Sequence, residues 1–323
     1  MPDIKGAFPY SVTVAAFRYA TSASMATKTQ SPAPLFVDLK GTLTKTDLLF
    51  ESYIELFKPR PSSESVGFQS STPDYCVELR IGSLAQMRGD SRVGRVKALV
   101  FDLDGTLYRN APVRTAMALR LASYVARDPW AGWRAVRFLN AYRQSQEILR
   151  TRVDHVGDGE QLALACRRTG TDAVWAAGIV ARWMEQIPLD LVRRYMRPGL
   201  PELLEAARRR GFRIGLFSDY PAEAKLAAIG VAQFFDVVVS AQDPEVRRFK
   251  PSPRGLEVTL RRLGVARHHA LYIGDRPDVD AAAARNAGIS CVIIGRPWSV
   301  RGWGWVGMSG YRELRDALYT DTK

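Results

Sequence analysis

The chain has 323 residues, 46% of them hydrophobic and 24% charged, which is enough apolar material for one large or two ordinary domains and too much for wholesale disorder. No apolar run approaches the roughly 18 residues that a membrane helix needs, so no integral membrane segment is expected. Lysine and arginine outnumber aspartate and glutamate 46 to 33, a formal +13.

All of that excess lies beyond Asp90, because Met1–Asp90 holds nine residues of each sign. A basic balance suits nucleic acid, an anionic surface or phosphorylated substrates. The arginines are scattered through helical stretches, with no strip interleaved with aromatics, which disfavours nucleic acid and leaves an anionic surface or a small phosphorylated metabolite open as partner. The cysteines Cys76, Cys166 and Cys291 form no CxxC pair. A disulfide scaffold is therefore excluded, a thiolate zinc site is disfavoured, and a reducing cytoplasm is the expected compartment.

Residues 1–33 are rich in Ala, Ser and Thr. Arg18 interrupts the only candidate signal core, Val12–Ala20, so a disordered leader is expected. Residues 34–57 (PLFVDLKGTLTKTDLLFESYIELF) fit a short strand, a glycine turn and an amphipathic helix, and residues 58–95 read as linker. A continuous domain follows. Its candidate strands are Ala98–Leu103, Arg213–Phe217, Asp236–Ser240, Ala270–Ile273 and Ser290–Ile294, apolar runs of the kind that parallel strands covered on both faces require. Helical patterns at Leu200–Arg210, Ala222–Ile229, Pro253–Leu263 and Val279–Ala287 alternate with them, predicting an α/β doubly wound parallel sheet. The stretch 112–196 has helical periodicity and no convincing strand. It is expected to be an all-helical lid inserted into a core of residues 96–111 and 197–323.

Ligands bind beyond the carboxyl ends of strands in such sheets. The residues just past the candidate strands are Asp102 and Asp104, then Ser218 and Asp219, then Lys250 some way after Ser240, and Asp275 with Asp278 and Asp280. Crowded carboxylates repel, and a divalent cation resolves the repulsion; oxygen ligands in this number suit Mg²⁺. A lysine beside them would neutralise remaining charge and orient a phosphate. Asp102 and Asp104, two apart on a turn, could divide labour as nucleophile and general acid/base, with Asp102 attacking phosphorus to give an aspartyl-phosphate.

These segments resemble the haloacid dehalogenase superfamily. Its first motif, DxDGT, stands as Asp102-Leu103-Asp104-Gly105-Thr106, and its second, a strand ending in Ser or Thr, as Gly215-Leu216-Phe217-Ser218. The third, a lysine followed by proline, stands as Lys250-Pro251; the fourth, GDxxxxD before a helix ending in Ala-Gly, runs from Gly274-Asp275 through Asp280 to Ala287-Gly288. The resemblance covers roughly 96–318. It implies Asp102 as nucleophile and metal ligand, Asp104 as acid/base with its backbone carbonyl on Mg²⁺, and Asp275 completing the metal site. Thr106 and Asp280 would support it, while Ser218, Asp219 and Lys250 would bind the substrate phosphate. A helix N-cap is the competing role for Asp219, and Asp278 is a spare acid. The insertion is similar to the family's helical C1 cap, which closes over small substrates.

The implied activity is hydrolysis of a small phosphate monoester, of phosphoglycolate or sugar-phosphate type. Phosphomutase, carbon–halogen hydrolysis and a non-catalytic interaction module are the alternatives. Lys250 is also one of only four lysines beyond Asp90, with Lys97, Lys225 and Lys323, in a region that otherwise uses arginine. Earlier in the chain, Pro34–Leu43 echoes Ala98–Leu107 without gaps, but Lys40 stands where Asp104 stands in the later copy. That opening resembles HAD-like domains fused to UbiA-type prenyltransferases, and it reads as a degenerate remnant or docking appendage. His155, His268 and His269 are expected in loops and turns, and Trp298, Trp303 and Trp305 over the sheet edge.

Overall fold

A computed structural model describes residues 96–152, 159–297, 299–302 and 304–319. The expectations for the leader, the 34–57 segment, the linker, His155, Trp298 and Trp303 lie outside the described residues.

The core is a seven-stranded sheet in the order β3-β2-β1-β4-β5-β7-β6. Strands β1 (Ala98–Phe101), β2 (Arg213–Ser218), β3 (Val237–Ser240), β4 (Ala270–Gly274) and β5 (Ser290–Ile294) all run parallel. Ala98 of β1 pairs with Arg213 on one side and Ala270 on the other. The chain builds outward from β1 to β2 and β3, then returns to its other side for β4 and β5. The order therefore reverses between β1 and β4, the place where doubly wound sheets open a crevice.

Two further strands escaped the sequence reading: β6 (Arg301–Gly302) and β7 (Trp305–Met308), with β7 parallel to β5 and β6 antiparallel to β7. Trp305 belongs to the sheet, opposite Cys291, and does not lie over its edge.

Strands β1 and β4 are buried on both faces. Leu99 and Phe101 of β1 pack with helices α6 (Leu200–Arg209), α7 (Glu223–Ile229) and α10 (Tyr311–Tyr319), whereas Ala98 and Val100 pack with α8 (Arg254–Leu263) and α9 (Ala282–Ala287). This is the period-two alternation of an extended chain sandwiched between helical layers. The helix expected from Val279 starts earlier, with a wide turn over Pro277–Ala281 that leads into α9.

Between β1 and β2 the described residues are helical: α1 (Asn110–Arg127), α2 (Pro129–Arg150), α3 (Glu160–Thr169), α4 (Ala173–Val180) continuing into a π-helical turn (Ala181–Gln186), and α5 (Leu189–Arg194). Asp128 caps α2 by accepting from the Ala131 amide at 2.9 Å, with Pro129 in its first turn, and Asp172 caps α4 in the same way. This layer has its own apolar core, in which Phe138, Tyr142 and Trp183 are buried.

Two chain segments join the layer to the sheet, and they lie side by side. Tyr108 bridges Met196, the Arg109 amide donates to the Tyr195 carbonyl, and the Arg197 amide donates to the Leu107 carbonyl, each amide bond at 2.9 Å. No helix among the described residues is long and apolar enough to cross a membrane.

Candidate active site

Asp102 leaves the end of β1 beside the end of β4, at the reversal of strand order. Its carboxylate is buried; one oxygen accepts from the Thr106 hydroxyl at 2.8 Å and the other is paired with the Lys250 ammonium. Lys250, only 3% exposed, also donates to Asp280 Oδ1 at 2.8 Å and to the Tyr272 hydroxyl at 3.2 Å. The three donors of an ammonium are thus all engaged. Asp280 uses its second oxygen to accept the Asp275 and Arg276 amides at 3.2 and 3.0 Å, which is what organises the wide turn after β4.

Two glycines make room for these carboxylates. A Cβ on Gly274 would stand 2.4 Å from the Asp280 Cβ, and one on Gly105 would stand 2.0 Å from Asp275 Oδ2. Gly105 also has φ +94°, a conformation that side chains disfavour. The glycines of the first and fourth motifs are therefore required by the packing of the acids themselves.

Oxygens of Asp102, Asp275 and Asp280 lie within 4.8 Å of one another. Burial pushes the Asp102 carboxyl up to about 7; Lys250 opposes the shift and Asp280 adds to it. Burial, then the charges of Asp280 and Asp102, raise Asp275 well above the carboxylate range. Burial would raise Asp280 too, but Lys250 and its hydrogen bonds bring it below its ordinary value. Three clustered acids, two of them buried and Asp275 partly so, thus gather about one lysine, which pairs with Asp102 and Asp280. Clustered hard oxygen donors with excess negative charge fit a divalent cation.

The Asp104 carboxylate stands apart from that cluster. Lys225 Nζ donates to it at 2.6 Å and the Tyr108 hydroxyl donates to the same oxygen. Burial would raise this acid, but Lys225 and these two hydrogen bonds hold it below the usual range. Ser218 is buried at the end of β2, where its Oγ accepts the Tyr220 amide at 3.2 Å.

Asp219 caps no helix. Its carboxylate accepts from Arg150 Nη2 at 2.5 Å, from the Lys250 amide at 3.2 Å and from Gln146 at 3.4 Å, so it braces α2 against the sheet. Arg150 adds a bond to the Lys250 carbonyl at 2.7 Å. Asp278 is exposed and pairs with Arg276, outside the acid cluster.

Sequence reasoning singled out neither Lys225, Tyr108 and Tyr272 nor the Arg150–Asp219 brace as functional. One signal existed for Lys225, which is as rare a lysine as Lys250 in an arginine-rich region. Above the acids lies a cavity of about 900 Å³, walled by the strand-end loops, α1, α2 and the π-helical turn.

Residues 96–288 match the family model described as haloacid dehalogenase-like hydrolase. The chain is 30% identical over 217 residues to a glyceraldehyde 3-phosphate phosphatase of Methanopyrus kandleri, covering 62% of this chain and 84% of that protein. It is 30% identical over 202 residues to a phosphoglycolate phosphatase of Rhodobacter capsulatus, covering 61% and 83%. Among solved structures, a 2-haloacid dehalogenase of Pseudomonas syringae superposes with a TM-score of 0.51 at 20% identity, covering 69% of this chain and 98% of that one. At that identity the superposition speaks to the fold alone.

Proposed function

The chain belongs to the haloacid dehalogenase-like hydrolases, and on that premise we propose that it is a phosphatase that hydrolyses a small organic phosphate monoester through an aspartyl-phosphate on Asp102, with Mg²⁺ as cofactor. The observation that carries this reading is the meeting of Asp102, Asp275, Asp280 and Lys250 at the reversal of strand order. The phosphoglycolate and glyceraldehyde 3-phosphate phosphatases among its relatives support the substrate class.

Asp102 and Asp275, with the Asp104 backbone carbonyl, would hold the metal, and Asp280 would fix Lys250 and the turn behind them. When bound, the cation offsets negative charge on the transferring phosphoryl group and on the acids around it. Asp102 attacks phosphorus in line, the bond to the ester oxygen breaks, and that oxygen takes a proton from Asp104. Asp104 then removes a proton from water as the water attacks the acyl phosphate, which regenerates the Asp102 carboxylate and releases phosphate. Lys250 and Ser218 steady the phosphoryl oxygens.

Ionised against Lys225, Asp104 stands ready for the second half of this cycle. The first half requires it to be protonated and Lys225 to move aside. Helices α1 to α5 act as the cap, which excludes water while the acyl phosphate exists. The Asp219 carboxylate serves as the brace between cap and core.

The test is release of inorganic phosphate from a panel of phosphate esters by the full chain. Turnover is expected with Mg²⁺ and none after EDTA. Activity on a haloacid that survives EDTA, with no phosphate released from any ester, would overturn the reading.

A further inference from the structure

The five exposed large apolar side chains among the described residues all belong to the helical layer and none to the sheet domain. They are Leu119 on α1, Trp130, Trp133 and Ile148 on α2, and Val174 on α4. Trp130 and Val174 stand furthest out, 80% and 82% exposed. Apolar side chains scattered singly on a surface are ordinary, whereas a cluster ringed by polar groups marks a contact site.

Trp130 and Trp133 share one face of α2 with Arg134 and Arg137, at spacings of three and four residues. The side of α2 that carries Leu139, Gln146 and Arg150 toward the cavity is about half a turn away. Packing ties α4 to the outer face: the Arg134 guanidinium lies 4.0 Å from the centre of the Trp175 ring, Trp175 meets Phe138 edge-on at 5.8 Å, and Val174 precedes Trp175. Arg137 stands over the Trp133 ring at 5.6 Å and donates to the Thr169 carbonyl at 2.9 Å. That bond brings in the end of α3, where Arg167 and Arg168 are exposed.

The outer face thus presents apolar tips set among guanidinium groups. Among the described residues, none of Arg134, Arg137, Arg167 and Arg168 is paired with a carboxylate. The acids beside them, Asp128 and Asp172, are engaged as helix caps. Residues 110–196 carry thirteen arginines, no lysine and eight acids, so attraction to an anionic surface extends beyond the patch itself.

The chemistry of the face selects its occupant. A second copy would form an isologous contact and set these cations against themselves. Single-stranded nucleic acid stacks its bases on open aromatic faces, but Val174 has none and the Trp133 ring has Arg137 over it. Indoles and aliphatic tips settle at the headgroup level of a bilayer, where guanidinium groups meet lipid phosphates.

We propose that the outer face of α2, with the adjoining ends of α3 and α4, seats the chain on an anionic lipid surface. The inference is independent of the reaction that the cavity performs, and it turns the cavity side of α2 away from the lipid.

The test is sedimentation of the full chain with vesicles of equal parts phosphatidylglycerol and phosphatidylcholine, and with phosphatidylcholine alone, at low ionic strength. Affinity for the mixed vesicles is expected to be about tenfold or more higher, and to fall in high salt. General attraction of a basic chain would give the same result, so the variants decide. Trp130→Ser with Val174→Ser leaves the net charge unchanged and should weaken binding to the mixed vesicles by about tenfold. Arg134→Gln with Arg137→Gln should do likewise, whereas Arg209→Gln with Arg261→Gln, which removes the same charge from the sheet domain, should cost about threefold or less. All six side chains are exposed, and circular dichroism checks that each variant is folded.

No sedimentation with the mixed vesicles, native affinity in Trp130→Ser with Val174→Ser, or equal losses from the two arginine pairs would overturn the proposal. So would a dimer, or retention of a single-stranded RNA, that these substitutions abolish in a chain indifferent to both vesicles. Each of those results leaves the phosphatase reading untouched.

Discussion

The floor and the roof of this cavity are built on different principles. On the floor, Asp102, Lys250, Asp280 and Tyr272 come from strand ends and the loops that follow them, are all buried, and interlock through bonds that leave Lys250 no spare donor. The roof is a helical layer with an apolar core of its own, fastened to the sheet by the Arg150–Asp219 brace and by two adjacent connections. A rigid floor suits chemistry, in which charges must be in place before the reaction; a separately folded roof can open, close and diverge in sequence without disturbing it.

The largest effect that would sharpen this contrast is expected from Asp102→Asn. It keeps the shape of the floor and removes the proposed nucleophile, so kcat should fall on the order of 10⁴-fold or more while the circular dichroism spectrum is unchanged. A mutant with native turnover would erase the distinction between the two regions.

Lys250→Met should follow. It leaves the buried Asp102 and Asp280 without their shared cation, and urea unfolding of the metal-free protein at pH 8 should show a loss of about 3 kcal/mol. Asp219→Ala strikes the joint between the regions and removes one of the two carboxylates that Arg150 pairs with, leaving Glu147. A loss of about 2 kcal/mol is expected, with KM for the substrate rising more than kcat falls, because the roof is loosened and the acids below are not.

The smallest effect comes from protons. Asp102 titrates near 7 in the folded chain against an ordinary value of 3.8, so between about pH 4 and 7 the folded state binds a proton that the unfolded state lacks. Stability of the metal-free protein must therefore fall as pH rises through that window, with Asp275 acting in the same direction. A cation that replaces the proton reverses the trend. Mg²⁺ should raise the melting temperature by about 3 °C more at pH 7.5 than at pH 5, measured by thermal denaturation.

The same division decides how much could be read from the sequence. Strands β1 to β5 were legible because each is a short apolar run and most end at Gly, Ser or Asp, which the sheet brings to one rim whatever the loop lengths. Asp102 and Thr106 even lie within one turn of chain. Strands β6 and β7 were not legible, since a two-residue strand among glycines and tryptophans has neither alternation nor length. Nor was the tie between Asp104 and Lys225, which joins residues 121 positions apart through the packing of α7.

The bonded pair of crossings at Tyr108 and Met196 has an evolutionary consequence. The 87 residues between them leave and re-enter the sheet domain at one doorway, so a different insert could be grafted there without rethreading a strand or shifting the loops that carry the acids. Lineages built on this chassis can change what they recognise by swapping a cassette while inheriting the reaction intact.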